Sequence, residues 1–351
     1  MIRSTASALA ALALAGCASF SGDGGFGTVE RLTRERIGQA PSLQRSAAQA
    51  DSARARVEQL QQQPLSAERA VEIALLNNPG LQASYAGLGI AEADLVRAGR
   101  LANPALSFGR LSGSGVVEID RAVVFNLLGL LTMPMALQLE QHRFEQAQLQ
   151  AAYDTVGLTA QARKAFFEAV AAQQLQSYQE QVQQAADASN ELARRMVAAG
   201  NFNQLAQMRE QAFYADATAN LARARHQATA ARERLARVLG LAEQGFELPE
   251  RLPDLPPAPL APRGAEQTAM EQRLDVLLAR RSAEATARSL GLSKATRFVN
   301  VLELGYQNKS ESGEKRSNGY EISLELPLFD LGSTRLARAE ASYLQAVQRT
   351  A

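Results

Sequence analysis

The chain has 351 residues, with 37 lysine and arginine residues against 36 acidic ones. This length exceeds one ordinary domain, and a near-neutral chain without a basic stripe of interleaved aromatic residues is not expected to bind nucleic acid. Aromatic residues make up only 5% and tryptophan is absent, which favours alanine- and glutamine-rich helices over a compact globular core. The one cysteine, Cys17, excludes an intrachain disulfide.

Residues 1–16 have the pattern of an export signal peptide. Arg3 supplies the positive start, and a short apolar run follows at residues 9–14. Residues 14–17 read Leu-Ala-Gly-Cys, a small-residue cleavage site directly before the cysteine, which predicts a bacterial lipoprotein with diacylglycerol and fatty acyl groups on Cys17. An ordinary signal peptide with a chance cysteine is the alternative. The residue after the cysteine is Ala18 and not an aspartate, so we expect the lipoprotein to be forwarded to the outer membrane. The acyl chains would anchor it firmly there.

Residues 17–63 form a polar lead-in without a recognisable site, and the first strong helix is predicted over residues 65–101. Ser66 is its N-cap candidate, and Pro79 interrupts it. After this helix, the spacing of apolar residues changes from the helical repeat to a period of two residues. This change predicts a β-hairpin over residues 105–126, with one apolar face and one more polar face.

A long helical hairpin is predicted over residues 135–239, with its turn at residues 199–203. The first arm would form a rod of roughly 100 Å, since an α-helix rises about 1.5 Å per residue. Apolar and small residues recur at steps of three and four in both arms, which is the spacing of a coiled-coil seam. The seam consists of Leu175, Tyr178, Val182, Ala185, Ser189, Leu192 and Met196 in the first arm and of Leu205, Met208, Ala212, Ala215, Ala219 and Ala222 in the second.

Residues 248–263 hold six prolines and predict a stiff, extended linker. Residues 264–351 then follow the same order as residues 64–247: a helix, a β-hairpin predicted over residues 298–327, and the start of a long helix. We refer to these two ranges as the first and second copies. The second copy stops before its own long hairpin, which predicts that the sequence is a fragment or a natural truncation.

Several short motifs, taken with the repeat order, resemble the TolC-like outer-membrane efflux proteins. Residues 65–79 are similar to the opening helix of that family, and residues 199–209 to its hairpin tip. Residues 236–240 are similar to the end of its return helix, and residues 326–332 to its strand exit. Each motif is degenerate, and the resemblance covers residues 64–351.

The resemblance implies a mainly α-helical fold with transmembrane β-hairpins. In that fold three protomers each give two β-hairpins to one closed twelve-stranded barrel, and their long helical hairpins are the staves of an α-barrel. Closure by three copies agrees with the physics, since unpaired strand edges are not tolerated in lipid. The implied partners are two further copies of the chain, a periplasmic adaptor (membrane fusion protein), an inner-membrane pump and the lipid of the outer membrane.

Three sets of residues are site candidates. Cys17 is the lipidation site. The tip that would dock on the adaptor consists of Gly200, Asn201, Phe202 and Asn203, although glycine and asparagine are also ordinary turn residues. The strand acids would face an aqueous lumen and disfavour anions, or they are simply the polar face of the strands. These acids are Glu118, Asp120, Glu321 and Glu325, with Glu303 beside them.

The sequence does not predict an enzyme. His142 and His226 lie far apart on predicted helix surfaces, and no catalytic triad, phosphate loop or metal-spaced cluster is present in the sequence. No metal is expected, and no cofactor beyond the lipid on Cys17. The predicted function is that of an outer-membrane channel subunit of a tripartite efflux system, which exports drugs or metal ions passively through a periplasmic helical tunnel. An outer-membrane duct of a type I protein secretion system and a periplasmic coiled-coil structural lipoprotein are the alternatives.

Overall fold

The computed structural model describes residues 18–242, 245–255, 264–325 and 327–350. The predicted signal peptide with Cys17 and most of the proline-rich linker lie outside these ranges. The described chain divides into two units. The first consists of residues 1–29, 86–151 and 264–351, and the second of residues 30–85 and 152–263, each in its described parts.

Helices and strands account for most of the described residues. In chain order they are α1 Phe26–Ile37, α2 Ala47–Gln61, α3 Ala67–Asn77, α4 Pro79–Ala98, β1 Ala105–Gly113, β2 Val116–Asn126, α5 Leu127–Ala198, α6 Gln204–Leu239, α7 Ala265–Gln272, α8 Leu274–Ala295, β3 Leu302–Glu311, β4 Ser317–Leu324 and α9 Ser333–Thr350.

The opening helix consists of α3 and α4, which meet at Asn78. The Ser66 side chain accepts a hydrogen bond from the Arg69 N–H at 3.2 Å, which confirms the predicted N-cap. Asn78 has an extended backbone, with φ −74° and ψ 115°, directly before Pro79. A proline disfavours the helical conformation in the residue before it, so the chain bends at this point.

Two asparagine side chains connect this bend to the end of α6. Asn77 Nδ2 donates to the carbonyl oxygens of Leu239 at 3.2 Å and Gly240 at 2.7 Å. Asn78 Nδ2 donates to the carbonyl oxygen of Val238 at 3.0 Å. The last carbonyls of a helix have no partner within it, so these amides satisfy groups that would otherwise need water. The opening-helix motif and the return-helix motif therefore form one contact.

The core of the second unit is mainly apolar, and it contains a bonded pair of buried hydroxyl groups. The Tyr85 hydroxyl lies 2.8 Å from Thr155 Oγ1, and burial raises the pKa of this phenol well above its usual value. Phe246, two residues before the predicted linker, is only 2% exposed and lies under the Arg232 guanidinium at 4.5 Å. The segment that leads into the linker therefore belongs to this core.

The long helix α5 begins at Leu127, eight residues before the predicted start at Met135. Asn126 explains the earlier start, because its Oδ1 accepts the Gly129 N–H at 2.7 Å and so caps the first turn. Pro134 lies inside this helix rather than before it. One lost backbone hydrogen bond does not end a helix that is capped and packed on both sides of the proline.

The two arms of the long hairpin pack through a different row of residues from the predicted seam. Ala186 and Ala193 of α5 are buried, as are Ala217, Leu221 and Ala224 of α6. The α6 positions are four and three residues apart and the α5 positions seven, so both rows have coiled-coil spacing, with alanine allowing close approach. The short turn at the tip decides which faces of the two helices meet, and hydrophobicity alone did not reveal that choice.

The residues of the predicted seam do not form the contact between the two arms. Its large residues are exposed, with relative exposures of 41% to 59% at Leu175, Tyr178 and Leu192 and of 62% at Leu205 and Met208. The alanines of the second arm, from Ala212 to Ala222 at that spacing, are exposed as well. Each arm thus carries an apolar stripe that faces away from its own hairpin.

The first unit contains an antiparallel sheet in the order β1–β2–β3–β4. The first hairpin has the predicted bounds, residues 105–126. The second was predicted over residues 298–327, but β3 begins at Leu302 because a turn follows α8, with the Val299 N–H bonded to Thr296 O at 3.3 Å. Residues 308–311 are polar but still pair with β2, since the backbone pairs whatever side chains it carries.

Among the described residues, no helix combines the length and the apolar composition that a membrane-spanning helix requires.

Candidate functional site

The sheet has two chemically different faces. Directly paired residues lie on the same face, and successive residues of a strand alternate between faces, so the registers assign every strand residue. We call the face that carries Asp120 the acidic face and the face that carries Ile119 the apolar face.

The acidic face collects the predicted strand acids. Asp120 is paired with Gly109 and with Lys309, and Glu321 is paired with Gly305. Glu118, Glu303 and Glu311 lie on the same face by register. Most of the other residues on this face are small or polar: Ala105, Ser107, Gly109, Gly113, Ala122, Asn126, Gly305, Gln307, Ser317, Gly319 and Ser323.

Some of these acids have close partners. Glu118 forms an ion pair with Lys309, and Glu321 accepts a hydrogen bond from Gln307. Glu325 lies one residue beyond the end of β4, where its side chain accepts a hydrogen bond from Asn300 Nδ2 at 3.3 Å. The structure therefore brings three of the four predicted acids together on the sheet and places Glu325 at its end.

The apolar face is broad and exposed. Leu106 is 81% exposed, Tyr320 83% and Ile322 70%. Val117, Ile119, Val123, Phe125, Leu302, Leu304, Tyr306 and Leu324 belong to the same face, with Phe108 beside Leu106. An exposed apolar face of this size indicates contact with lipid or with other protein rather than with water.

Polar residues of the apolar face occur near the turns of the two hairpins. Arg121 donates to Asn308 Oδ1 at 3.0 Å, and Asn308 Nδ2 donates to Asn318 Oδ1 at 2.6 Å. Farther from the turns, the rings of Tyr306 and Tyr320 are in tilted contact, with their centres 5.7 Å apart. The apolar face therefore changes from apolar to polar along the strands, which is the pattern at a lipid–water boundary.

The tip between α5 and α6 is a capped turn. Gly200 has φ +74°, and the Asn201 N–H bonds to Met196 O at 2.9 Å, which closes the end of α5. The Asn203 side chain accepts the Ala206 N–H at 2.8 Å and begins α6. Gly200 and Asn203 are thus explained by the turn itself, whereas Asn201 is exposed and Phe202 half-buried.

The surface beside the tip combines apolar side chains with a charged cluster. Leu192, Leu205 and Met208 are exposed. Glu191 forms ion pairs with Arg195 at 2.8 Å and Arg194 at 3.2 Å, and these guanidinium groups hold the pKa of its carboxyl below the usual value. The cluster remains ionised at neutral pH.

A contact of the N-terminal segment was not predicted from the sequence. The carboxylate of Glu92 is 7% exposed and accepts hydrogen bonds from the Ser21 N–H at 2.6 Å and the Ser21 hydroxyl at 2.5 Å. Glu92 was detectable, because it occupies a core position in the apolar spacing Leu81, Tyr85, Leu88, Glu92 and Val96 of α4. Its partner Ser21 lies in a polar stretch that gives no such signal. Cys17 itself lies outside the described residues.

Each histidine lies on a helix, His142 on α5 and His226 on α6. His142 Nδ1 lies 3.8 Å from a Glu145 oxygen, and His226 is exposed on α6. Within the described ranges, no three histidine, cysteine or acidic residues are placed so that they could hold a metal ion.

Solved structures share this fold. A membrane protein from Pseudomonas aeruginosa is 21% identical with a TM-score of 0.66, over 81% of this chain and 72% of that one. The outer membrane protein VceC from Vibrio cholerae is 18% identical with a TM-score of 0.62, over 87% of this chain and 77% of that one. The open state of the Neisseria gonorrhoeae MtrE outer membrane channel is 17% identical with a TM-score of 0.61, over 81% of this chain and 69% of that one.

These likenesses confirm the predicted fold: the chain has the TolC-like fold, mainly helical with β-hairpins. No family model matches the sequence, and no curated protein matches it.

Proposed function

We propose that this protein is an outer-membrane channel subunit through which small molecules leave the periplasm, and not an enzyme. The observation that carries the proposal is the two-faced sheet. An exposed apolar face suits the hydrocarbon of a bilayer, and a face of acids and small residues suits a water-filled lumen. Solved structures with the same fold include proteins described as outer membrane channels.

The edges of the sheet support assembly from several copies. Among the strands that the structure describes, β1 and β4 each pair with only one neighbour, so each presents a free row of backbone groups. Such edges are not tolerated in lipid, and a sheet of four strands cannot close on itself around a lumen. A homotrimer would pair every edge and give twelve strands.

The exposed stripes of the long hairpin support the same assembly. Leu175, Tyr178 and Leu192 on one arm and Leu205 and Met208 on the other face away from their own hairpin. Neighbouring helices of other copies would bury these stripes and form the wall of a periplasmic helical tunnel. Residues 200–203 at the tip would then dock on a periplasmic adaptor, which connects the tunnel to an energy-supplying inner-membrane pump.

The lumen acids and the lipid anchor complete the proposal. Glu118, Asp120, Glu303, Glu311 and Glu321 outnumber Lys309 on the acidic face, so the lumen would favour cations and neutral molecules over anions. Drugs and metal ions are both compatible with this charge. Lipid on Cys17 would hold the mature N-terminus in the outer membrane.

The test is fractionation of cells that express the full-length gene product, with its signal and a complete second copy. We expect a heat-resistant trimer in the outer-membrane fraction and β-structure in detergent. The Cys17→Ser variant controls for the anchor, and it retains both hairpins. A soluble monomer without β-structure, from either form, would contradict the channel and favour a periplasmic coiled-coil lipoprotein. An export assay on the same cells tests the other alternative, and export of a protein rather than of small molecules would favour a secretion duct.

A further inference from the structure

The first unit contains a cavity of about 620 Å³ where the helices meet the sheet. This volume is within the range of about 300–1,000 Å³ that is usual for small-molecule sites. The end of α4, the segment that leads to β1, the end of β2 and the first turns of α5 enclose it. Its apolar lining residues are Leu101, Phe125, Leu127, Leu130, Met133 and Leu304.

The charged groups around the cavity are already paired. Asp94 forms an ion pair with Arg97 at 3.0 Å, and Glu140 with Arg143 at 2.6 Å. The Arg100 guanidinium donates to a backbone carbonyl, that of Ala18, at 3.0 Å. Since the lining charges compensate one another, the cavity favours an apolar occupant over a charged one.

The N-terminal segment reaches the rim of this cavity. Ala18 is held by Arg100, which is itself a lining residue. The Ala18 side chain also lies against Gly99, where an added Cβ would be 2.6 Å from the Ala18 Cβ. Ala18 therefore packs against Gly99 and is hydrogen-bonded to Arg100.

Buried contacts fix the direction of the segment. Ser21 is bonded to the buried carboxylate of Glu92, and the Gly25 carbonyl accepts from Gln148 Nε2 at 3.0 Å. A Cβ on Gly25 would be 2.3 Å from the Phe144 ring, so this part of the segment also packs closely. Residues 18–25 therefore run along the first unit and end, on the N-terminal side, at the cavity.

We propose that the fatty acyl chains carried by Cys17 occupy this cavity. The proposal rests on the lipidation of Cys17 that belongs to the proposed function. Consecutive Cα atoms are about 3.8 Å apart, so a lipid on Cys17 starts within one residue of the rim. Phe125 and Leu304 belong to the apolar face of the sheet, so the cavity is continuous with the surface assigned to the bilayer. The anchor would then hold the junction of sheet and helices as well as the membrane.

Leu130 and Leu131 provide a matched pair for the test. Both are exposed leucines on the first turns of α5, and of the two only Leu130 lines the cavity. The full chain is expressed with a photo-crosslinking benzophenone amino acid at one of these positions, in cells fed an alkyne-bearing fatty acid. We expect light to join the Leu130 variant to the lipid of its own N-terminal peptide, as mass spectrometry would detect, and the Leu131 variant only at background. Equal crosslinking at both positions, or crosslinks from Leu130 to free phospholipid alone, would overturn the proposal.

The alkyne label separates this proposal from the one on which it rests. Wild-type chain should carry the label and Cys17→Ser should not. Labelled chain without the Leu130 crosslink overturns only the occupancy of the cavity, whereas unlabelled wild-type chain overturns the lipid anchor and the occupancy together.

A cavity-filling variant gives a second and independent reading. Ala136 lines the cavity on α5, and Ala136→Phe would occupy part of its volume. We expect this change to abolish the Leu130 crosslink while Cys17 labelling persists. An undiminished crosslink in labelled Ala136→Phe chain would contradict the proposal. A benzophenone at Leu101, on the opposite side of the lining, should crosslink in the wild-type background and lose its crosslink in the same way.

Discussion

In the first copy α3 ends at Asn77 and α4 begins at Pro79; in the second copy α7 ends at Gln272 and α8 begins at Leu274. The residue between the helices is extended in both, with φ −74° and ψ 115° at Asn78 and φ −66° and ψ 128° at Arg273. We call this interruption between the two helices the break. Its backbone conformation is the same in both copies, although the proline of the first copy is replaced by a leucine.

The side chains at the two breaks form different kinds of interaction. Asn78 uses both ends of its amide: Oδ1 accepts the Leu81 N–H at 3.0 Å and caps α4, while Nδ2 donates to Val238 O at the end of α6. Arg273 makes no capping bond and instead forms an ion pair with Asp275 at 2.6 Å. The first break is held by uncharged bonds to another helix, and the second by a local pair of charges.

The comparison shows that the bend does not depend on proline and that its stability depends on what the bend contacts. Proline makes the extended residue before it favourable, but Arg273 adopts the same conformation without one. The partners differ in burial: α3 buries Val71, Ile73 and Leu75, and α7 buries none of its described residues. We therefore expect mutations at the first break to cost more than mutations at the second.

The largest effect is expected at Gly240, which completes the first break. Its φ is +71°, and an added Cβ would lie 2.5 Å from the Asn77 carbonyl oxygen. Gly240→Ala should lower the free energy of unfolding by about 3 kcal/mol, because the left-handed backbone is strained by a side chain and the Asn77 backbone must move. Urea unfolding followed by circular dichroism measures the loss.

Gly200→Ala is the matched control for this change. Gly200 has φ +74° at the tip, with open space around a Cβ, so only the backbone strain of about 1–2 kcal/mol applies. Equal losses for the two variants would show that the contact between Gly240 and Asn77 does not constrain the break.

The second effect concerns Asn78. Asn78→Ala removes a helix cap and a hydrogen bond to α6, and each is worth about 1 kcal/mol, so we expect a loss of about 2 kcal/mol. Asn78→Asp keeps the cap but places a carboxylate against the carbonyl end of α6, which the helix dipole disfavours. It should therefore recover only part of the loss.

Arg273→Ala tests the same position of the second copy. Arg273 and Asp275 are 63% and 40% exposed, and exposed ion pairs contribute about 0–1 kcal/mol. A loss of unfolding free energy in Arg273→Ala as large as that in Asn78→Ala would contradict the expected difference between the two breaks.

Local signals in the sequence predicted much of this fold. Ser66, Pro79, the alternation in residues 105–126 and the glycine and asparagine of the tip each act through their own backbone, so their effects can be derived without knowing the rest of the chain. The internal repeat supplied the second hairpin, with errors at its ends. The start of α5 was predicted too late, because Pro134 indicated a helix start near residue 135. The side chain of Asn126 caps the actual first turn.

Features that depend on distant partners could not be derived in this way. The packing row of the long hairpin is set by the turn at its tip, so the apolar spacing of each arm identified a stripe but not what faces it. The bond between Ser21 and Glu92 joins residues 71 positions apart, and the cavity beside Ala18 is lined by three separate stretches of the sequence, residues 94–104, residues 125–140 and Leu304. The acids of the sheet were found from alternation, but their common face needed the strand registers.

The smallest expected effect is a difference in pH dependence between the two breaks. The Arg273 guanidinium holds the pKa of Asp275 below its usual value, while the first break contains only amides. Because the folded pKa is below the unfolded value of about 3.9, the pair contributes its stability above about pH 4 and loses it as the pH falls through the folded value. The contribution is below about 1 kcal/mol, since both side chains are exposed to solvent.

Hydrogen exchange at the first turn of each second helix measures this difference. The Leu277 N–H donates to Arg273 O at 3.1 Å, and the Gln82 N–H donates to Asn78 O at 3.3 Å. Between about pH 5 and about pH 3 the protection factor of Leu277 should fall while that of Gln82 stays constant. Arg273→Ala should remove the pH dependence at Leu277, and added salt should weaken it by screening the pair. A parallel fall at Gln82 would mean that acid loosens both breaks through the chain as a whole, and the local pair of charges would then not be the cause.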